Sequence, residues 1–431
     1  MEAWMRLKYL GHLGLILVAG LLATFLPHVE QLKVGGPLNP GDTAWMLTAS
    51  GLVLLMTPGL SFFYGGMVRK KNVISTMLQS LVALGVITVA WIAVGFSLCF
   101  GESIGGVIGN PLTFFMYQGV GMQTHPDFSP TIPFALFSLF QLKFAIITPA
   151  LVSGAFAERV KFSSYMVFMV LFSLFIYAPL AHMTWHPEGI LRNWGVLDFA
   201  GGTVVHISAG MAALAGSIYL GPRKEISHDA ANIPFVILGT GLLWFGWFGF
   251  NAGSSLAANE TAVLAFLNTN TASAVAMLTW MFFDRLRGRK SSALGACIGA
   301  VVGLVAITPA AGFVSVGAAI LIGFIAALVS NLALGLKAKS GVDDTLDVFP
   351  CHGLGGIVGM ILTAVFAKDV GLLAGETKTF LYHLLALVIV MVFAYCGSYV
   401  LYVVSNAIKP LRVNEEEERQ GLDLSQHGES V

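Results

Sequence analysis

Charge is scarce in this chain. Only 11% of its 431 residues are charged and its mean hydropathy is +0.80, whereas a soluble domain carries about 25% charge. That excludes an ordinary soluble fold and leaves a polytopic membrane protein. Basic and acidic residues balance at 23 each, so no bulk field points to nucleic acid. Cysteine is sparse too. Cys99, Cys297, Cys351 and Cys396 lie in or beside apolar segments without a C-x-x-C, which argues against a disulfide framework and a cysteine zinc site. H-E-x-x-H does not occur, and the one G-x-S-x-G, Gly101-Glu-Ser-Ile-Gly105, follows an apolar span rather than a strand, so an intramembrane hydrolase has little behind it and no enzyme is expected. No cofactor or metal site is expected either. Abundance lies elsewhere: 56% of residues are hydrophobic and 49 are glycine, which suits close helix packing in lipid.

The first 30 residues read as a signal peptide. Arg6 and Lys8 precede a short apolar run from about Leu13 to Leu26, shorter than the roughly 20 residues a span needs. An uncleaved extra helix is the alternative, because no clean A-x-A site follows. Residues 31–408 then form the transmembrane domain. Its spans fall at about 44–66, 74–100, 131–156, 163–184, 199–220, 232–250, 261–283, 292–308, 313–336, 351–367 and 379–407. The expected fold is all-α, with eleven transmembrane helices. Residues 409–431 make a polar tail, either a docked arm or disordered.

Loop charges set the orientation. Connections after odd-numbered spans, with the tail, carry sixteen Lys and Arg; those after even-numbered spans carry Arg192, Lys368 and Lys378. The positive-inside rule therefore puts the tail in the cytoplasm and the start of the first span outside. Five is odd, so two five-span halves have opposite topology, with a final helix added. Inverted halves that meet at a central site are a common transporter plan.

The stretch Asp198-Phe-Ala-Gly-Gly-Thr-Val-Val-His206 opens the fifth span, and Asp347-Val-Phe-Pro-Cys-His352 opens the tenth in a similar way. Eight helical residues rise about 12 Å, so His206 lies well into the membrane. A lone buried histidine is usually packing. Two at corresponding places in separate halves favour a role in a pathway; without a third ligand they make a weak zinc site. Asp198 stands where a helix N-terminus favours a carboxylate, either as a cap or as negative potential that draws a cation. Phe140, Phe144, Trp185, Trp244, Trp247 and Phe250 lie in apolar runs, where packing, a cation–π cage and a gate all remain open. Lys143 is an isolated charge about 12 residues into the third span, read as a structural group at a helix or subunit contact.

Several blocks together are specific. They are Phe62-Phe-Tyr-Gly-Gly-Met-Val-Arg-Lys-Lys-Asn72, Gly154-Ala-Phe-Ala-Glu-Arg159, Asp198 to His206, Gly246-Trp-Phe-Gly-Phe-Asn-Ala-Gly-Ser254 and Asp343-Asp-Thr-Leu-Asp-Val-Phe-Pro-Cys-His352. In this order they resemble the Amt/MEP/Rh ammonium transporter family, in its bacterial Amt branch, from about Asp42 to Glu429. The resemblance implies a homotrimer in the cell inner membrane with one pore per subunit. By this resemblance His206 and His352 are the twin pore histidines, and Phe144 and Phe250 the stacked gate. Trp185, Ser254 and Phe144, with Asp198 nearby, make the outer ammonium-recruitment site. The tail resembles a regulatory segment that meets a P-II-type (GlnK-like) protein. Lys143 and the His186-Pro-Glu188 stretch depart from some relatives.

The implied activity is ammonium transport. Ammonium and potassium are similar in size, but only ammonium can give up a proton and cross a dry pore as neutral ammonia. Neutral imidazoles supply polar contacts along such a path, and the proton is expected to be relayed separately. An ammonium sensor signalling through the tail is the alternative. Sensors in the family usually carry extra cytoplasmic domains, which this sequence lacks.

Overall fold

The computed structural model describes residues 2–27, 29–226 and 229–431, with the side chains of residues 2–9 and 12 also left aside. Residues 1 and 28 of the expected signal segment are thus outside the described residues. The chain is almost wholly helical. Its only sheet among the described residues is a small hairpin, Ser103–Ile104 against Ile108–Gly109.

Among the described residues, ten helices are long and apolar enough to cross a membrane: Pro40–Met67, Lys70–Phe100, Phe134–Phe156, Phe162–Asn193, Gly202–Leu220, Ile233–Gly253, Glu260–Leu286, Val316–Ser340, Phe349–Phe366 and Thr377–Ile408. A shorter apolar helix, Ala293–Ile307, lies between the seventh and eighth of them. Hydropathy located most ends within a few residues, because a span must satisfy its backbone internally and face lipid with apolar side chains; the fourth span, expected at 163–184, runs on to Asn193. Polar residues start several of them. Asn39, Asn232, Asn259, Ser292 and Ser315 each accept a backbone N–H of the first turn, removing donors that the helix itself cannot pair.

The first helix of each half packs on the other. Pro40–Met67 runs against Ile233–Gly253 so closely that a Cβ on Gly239 would lie 2.3 Å from the Phe63 nitrogen. Small residues take the place of a hydrophobic driving force here, because backbone proximity is what lipid-embedded helices gain from association.

The tail is a docked arm. Lys161 N–H donates to Leu411 O and Val413 N–H to Arg159 O. Residues Glu415–Gln420 form one short helix with a capping box between Asn414 and Glu417. Asp423 accepts the backbone N–H groups of Ile74 and Ser75 at 3.0 and 2.8 Å. Beneath the tail, Arg223 bridges Glu158 and Asp343 at 2.9 and 2.8 Å. The guanidinium of Arg159 donates to Asp343 O and Thr345 Oγ1. Burial works to raise the Glu158 and Asp343 carboxyls. Arg69 and Arg223 overcome it at Glu158, and Arg223 and Arg159 do so at Asp343, so both groups stay below their ordinary range.

The sign of the linkage follows. A depressed folded-state pKa stabilises the protein fully above the unfolded carboxylate range of about 4, and that contribution is lost as pH falls through the folded value. Asp343→Asn is therefore expected to lower Tm at pH 7 and at pH 5. The deficit should shrink as pH drops below about 4. A deficit that stayed constant through that window would show that Asp343 acts by packing alone.

Candidate functional site

Two broken helices meet at the centre. Gly202–Leu220 opens with a π-helical turn, Gly202–Ile207, which carries His206; Phe349–Phe366 opens with another, Phe349–Gly353, which carries His352. Such turns widen a helix locally and recur at functional positions. Each is held open by a buried acid. Asp198 accepts from Gly201, Gly202 and Thr203 backbone N–H groups at 2.6–2.8 Å and from the Thr203 hydroxyl. Asp344 accepts from Val348 and Phe349 N–H at 3.0 and 2.7 Å.

The correspondence between the halves is therefore Asp198 with Asp344, each eight residues before its histidine. The expected partner, Asp347, instead pairs its carboxylate with Lys337. Its backbone matches Gly201, three residues after the acid in each half. Both adopt a left-handed conformation, φ 58° at Asp347 and 110° at Gly201. Burial and the neighbouring Asp347 charge push the Asp344 carboxyl up to about 6, against the pull of Lys337 and the two backbone donors. Burial likewise pushes Asp198 up, against its Thr203, Gly202 and Gly201 donors. With every Asp198 donor drawn from its own helix start, the cap is the role its geometry displays.

Glycines let the two helices cross. A Cβ on Gly210 would sit 2.3 Å from the Gly353 backbone, and one on Gly356 would sit 3.2 Å from the His206 Cβ. The imidazoles consequently meet, His206 Nδ1 to His352 Nδ1 at 3.3 Å, with ring planes 22° apart. One Nδ1 must carry the proton that the other accepts. The donor ring then has a bare Nε2 and the acceptor ring an Nε2–H, so the pair offers one acceptor and one donor beyond its own bond. His206 Nε2 is buried with no partner among the described residues. Trp247 stacks on His206, centroids 5.3 Å apart, and is itself tied to the Thr308 hydroxyl at 2.9 Å. Composition gave Trp247 no distinction from other apolar-run aromatics; only the fold brings it to the histidine.

Above the pair, Phe144 and Phe250 stack with centroids 4.1 Å apart, and both are buried. Beyond them opens a vestibule of about 650 Å³, lined among others by Phe144, Trp185, Asp198 and Ser254. Trp185 sets its edge against Phe144 and donates its Nε1–H to Asp198 O. The Ser254 hydroxyl donates to Phe250 O at 2.9 Å, which leaves its oxygen free to accept.

Below the stack the space narrows sharply. A chamber of about 10 Å³, bounded by His206, His352, Trp247 and Phe250 with aliphatic neighbours, is followed by another of about 10 Å³ past His352, toward Tyr64, Leu346 and Cys351. Each has room for one water-sized molecule. The vestibule and the two chambers between them are lined by Trp185, Ser254, Asp198, Phe144, Phe250, His206 and His352. Lys143 lines none of the three: it is buried in its helix beside Phe144, with no ion pair or hydrogen bond among the described residues, and nothing in the structure explains it.

Two inverted helical halves whose apolar spans meet around a buried, mostly apolar centre point to a membrane transport protein. Comparison with known proteins gives the family. Residues 44–431 match the model of the Ammonium Transporter Family. The ammonium transporter of Aquifex aeolicus is 46% identical, with 99% of each chain covered. The crystal structure of Candida albicans Mep2 superposes with a TM-score of 0.83 at 36% identity, covering 88% of each chain. A solved sensor Amt protein also reaches 0.83, at 30% identity over 90% of this chain and 98% of its own. The protein belongs to the ammonium transporter family.

Proposed function

We propose that the protein carries ammonium nitrogen across the cell inner membrane as neutral ammonia. Ammonium is gathered in the vestibule by the Ser254 oxygen and the π faces of Trp185 and Phe144, near Asp198. It loses its proton there and passes the Phe144–Phe250 gate. His206 and His352 then receive the ammonia and supply a route for the proton. The observation that carries this reading is the pair of water-sized chambers flanking His352. A whole cation there would lose its hydration shell and find few ligands to replace it, a cost of many kcal/mol. A neutral molecule with one lone pair and three N–H groups loses far less and finds one donor and one acceptor.

Reconstitution into proteoliposomes tests it. Ammonium gradients should drive current or internal alkalinisation, and equal potassium gradients should not. A protein that binds ammonium yet moves neither species would instead be a sensor.

The remaining expectations join this reading. Ala293–Ile307 is the eleventh span, the chain assembles as a homotrimer, and the first 30 residues are a signal peptide that leaves the mature N-terminus outside. The tail, residues 409–431, is cytoplasmic and receives a P-II-type regulatory protein. Ending the chain at Lys409 removes Asp423 from the Ile74 and Ser75 donors and Glu418 from Lys224 N–H. That truncation is expected to reduce ammonium flux severalfold and to abolish inhibition by such a partner. Intact flux and intact inhibition would make the tail a passive cover.

A further inference from the structure

One face of the third span follows the path from the vestibule inward. Phe137, Gln141 and Phe144 line the vestibule, and Ile147 and Leu151 line the chamber below the gate. Their spacing of three or four residues is a single helical stripe. Gln141 is its one polar member. It lies a turn outward of Phe144, whose ring stacks in the gate.

Packing gives no reason for a glutamine there. Gln141 is 9% exposed, and its Oε1 is buried without a hydrogen-bond partner among the described residues. Its Nε2 donates to none of them either. A buried amide oxygen without a donor lowers stability, and native proteins keep few of them. Leucine would continue the stripe without that cost. Because neither end is tied, a half-turn of the carboxamide exchanges oxygen and nitrogen with no hydrogen bond lost. The side chain can therefore turn an acceptor to the cavity.

Thr184 repeats the pattern. Buried helical threonines elsewhere bond the carbonyl four residues back, as Thr148 does to Phe144 O and Thr240 to Val236 O, both at 2.7 Å. Thr184 lines the vestibule directly before Trp185, is 5% exposed, and its Oγ1 is buried with no partner among the described residues. No other residue of the vestibule lining has such an atom among the described residues. The carboxylates of the lining are already engaged, Asp127 by Lys33 and Asp198 by its own helix start.

Ammonium presents four N–H donors in a tetrahedron. The Ser254 oxygen accepts one, and the rings of Trp185 and Phe144 offer π faces to others. On the outward side that arrangement leaves the ion only water. Three helical residues rise about 4.5 Å, which puts Gln141 on that side. We propose that Gln141 is a further ammonium-binding residue of the vestibule, with Thr184 as a weaker second. After the half-turn, Gln141 Oε1 accepts an outward N–H of the ion over Phe144 and replaces a water of its hydration shell. This rests on the reading of the vestibule as the recruitment site and adds to it the ligands on the outward side.

Thermal unfolding of the full-length protein in lipid nanodiscs, in ammonium chloride against equal sodium chloride, tests the proposal. A ligand that binds only the folded state raises Tm with its concentration. Gln141→Leu should need about tenfold more ammonium than wild type for the same rise, the usual scale for losing a hydrogen bond to a charged partner. Its Tm without ammonium should be no lower than wild type, because leucine removes the unpaired oxygen. Gln141→Glu keeps a terminal oxygen and should need no more ammonium than wild type. Thr184→Val should need more, by a smaller factor than Gln141→Leu. In proteoliposomes the half-saturating ammonium concentration should follow the same order, while the maximal current of Gln141→Leu stays within about twofold of wild type, the mark of a binding residue. A leucine variant that needs no more ammonium than wild type, or leucine and glutamate variants that shift alike, would make Gln141 a packing residue and overturn the proposal. A wild type whose Tm responds to ammonium through Gln141 but which carries no current would overturn the transport reading and leave this proposal standing.

Discussion

Asp198→Ala is expected to abolish ammonium-driven current, at least a hundredfold below wild type, and to lower Tm by several degrees. The reason lies in what the carboxylate holds. It takes three backbone N–H groups and one hydroxyl at the mouth of a π-helical turn, all buried. Alanine offers none of these an acceptor. A buried donor left unpaired costs about 1–3 kcal/mol, so the turn rewinds or recruits water in preference to staying as it is. His206 rides on that turn at 3.3 Å from His352, and any rewinding rotates it off its partner. Trp185 suffers too, because its Nε1–H is set on Asp198 O. Asp198→Asn separates the cap from the charge. Its carboxamide oxygen keeps part of the cap without a negative charge. If the cap is what matters, Asn should retain measurable current and most of the Tm, and ammonium affinity should change little. If Asn were as dead as Ala while fully stable, negative charge at the vestibule would be the function of Asp198. Current and thermal unfolding, measured on the same preparations, distinguish the two.

The sequence exposed the spans because lipid imposes a single strict requirement, a run of apolar residues long enough to cross. It exposed the histidines because ionisable groups inside such runs are few. It did not expose which acid belongs to His352. Asp343, Asp344 and Asp347 all precede it, and proximity along the chain favoured Asp347. Only the cap geometry selects Asp344, since that carboxylate reaches Val348 and Phe349 N–H while Asp347 turns to Lys337. Helix crossings were hidden for a related reason. Gly210 and Gly353 are 143 positions apart in a chain with 49 glycines, and nothing local marks the two whose backbones touch. Trp247 is legible as an aromatic but not as the ring under His206. The docked tail was left open between arm and disorder, because its acceptors and donors lie more than 340 residues away, on Asn72 and Ser75.

The larger effect on selectivity is expected at the histidine pair. His206→Ala or His352→Ala should each cut ammonium-driven current sharply, and the double alanine variant should retain no selective current. Two physical terms set this. The pair is the main polar surface bounding the otherwise apolar chambers, so its removal leaves an ammonia molecule without a donor or an acceptor there. It is also a hydrogen-bonded unit. When a proton arrives at the bare Nε2 of one ring, the shared proton crosses the Nδ1···Nδ1 contact and the Nε2 proton of the other ring leaves, so both rings end neutral with the roles of their Nε2 atoms exchanged. A proton taken from ammonium can therefore enter at one ring and leave at the other without either ring staying charged, which would be costly in so apolar a place. Single alanine variants break that relay even if ammonia still passes. Replacement by acids tests the other half of the argument. His206→Asp with His352→Glu supplies carboxylates able to ligate a cation that has kept its proton or never had one. Potassium current should then appear where wild type shows none, with ammonium and potassium conducted to within about tenfold of each other, since near-equal ionic size leaves roughly 1.4 kcal/mol or less to tell them apart. The measurement is current under matched ammonium and potassium gradients for wild type, each single alanine, the double alanine and the acidic pair in one lipid composition. Unchanged ammonium current and unchanged selectivity in the double alanine variant would return both histidines to ordinary packing and leave the apolar chambers as the sole filter.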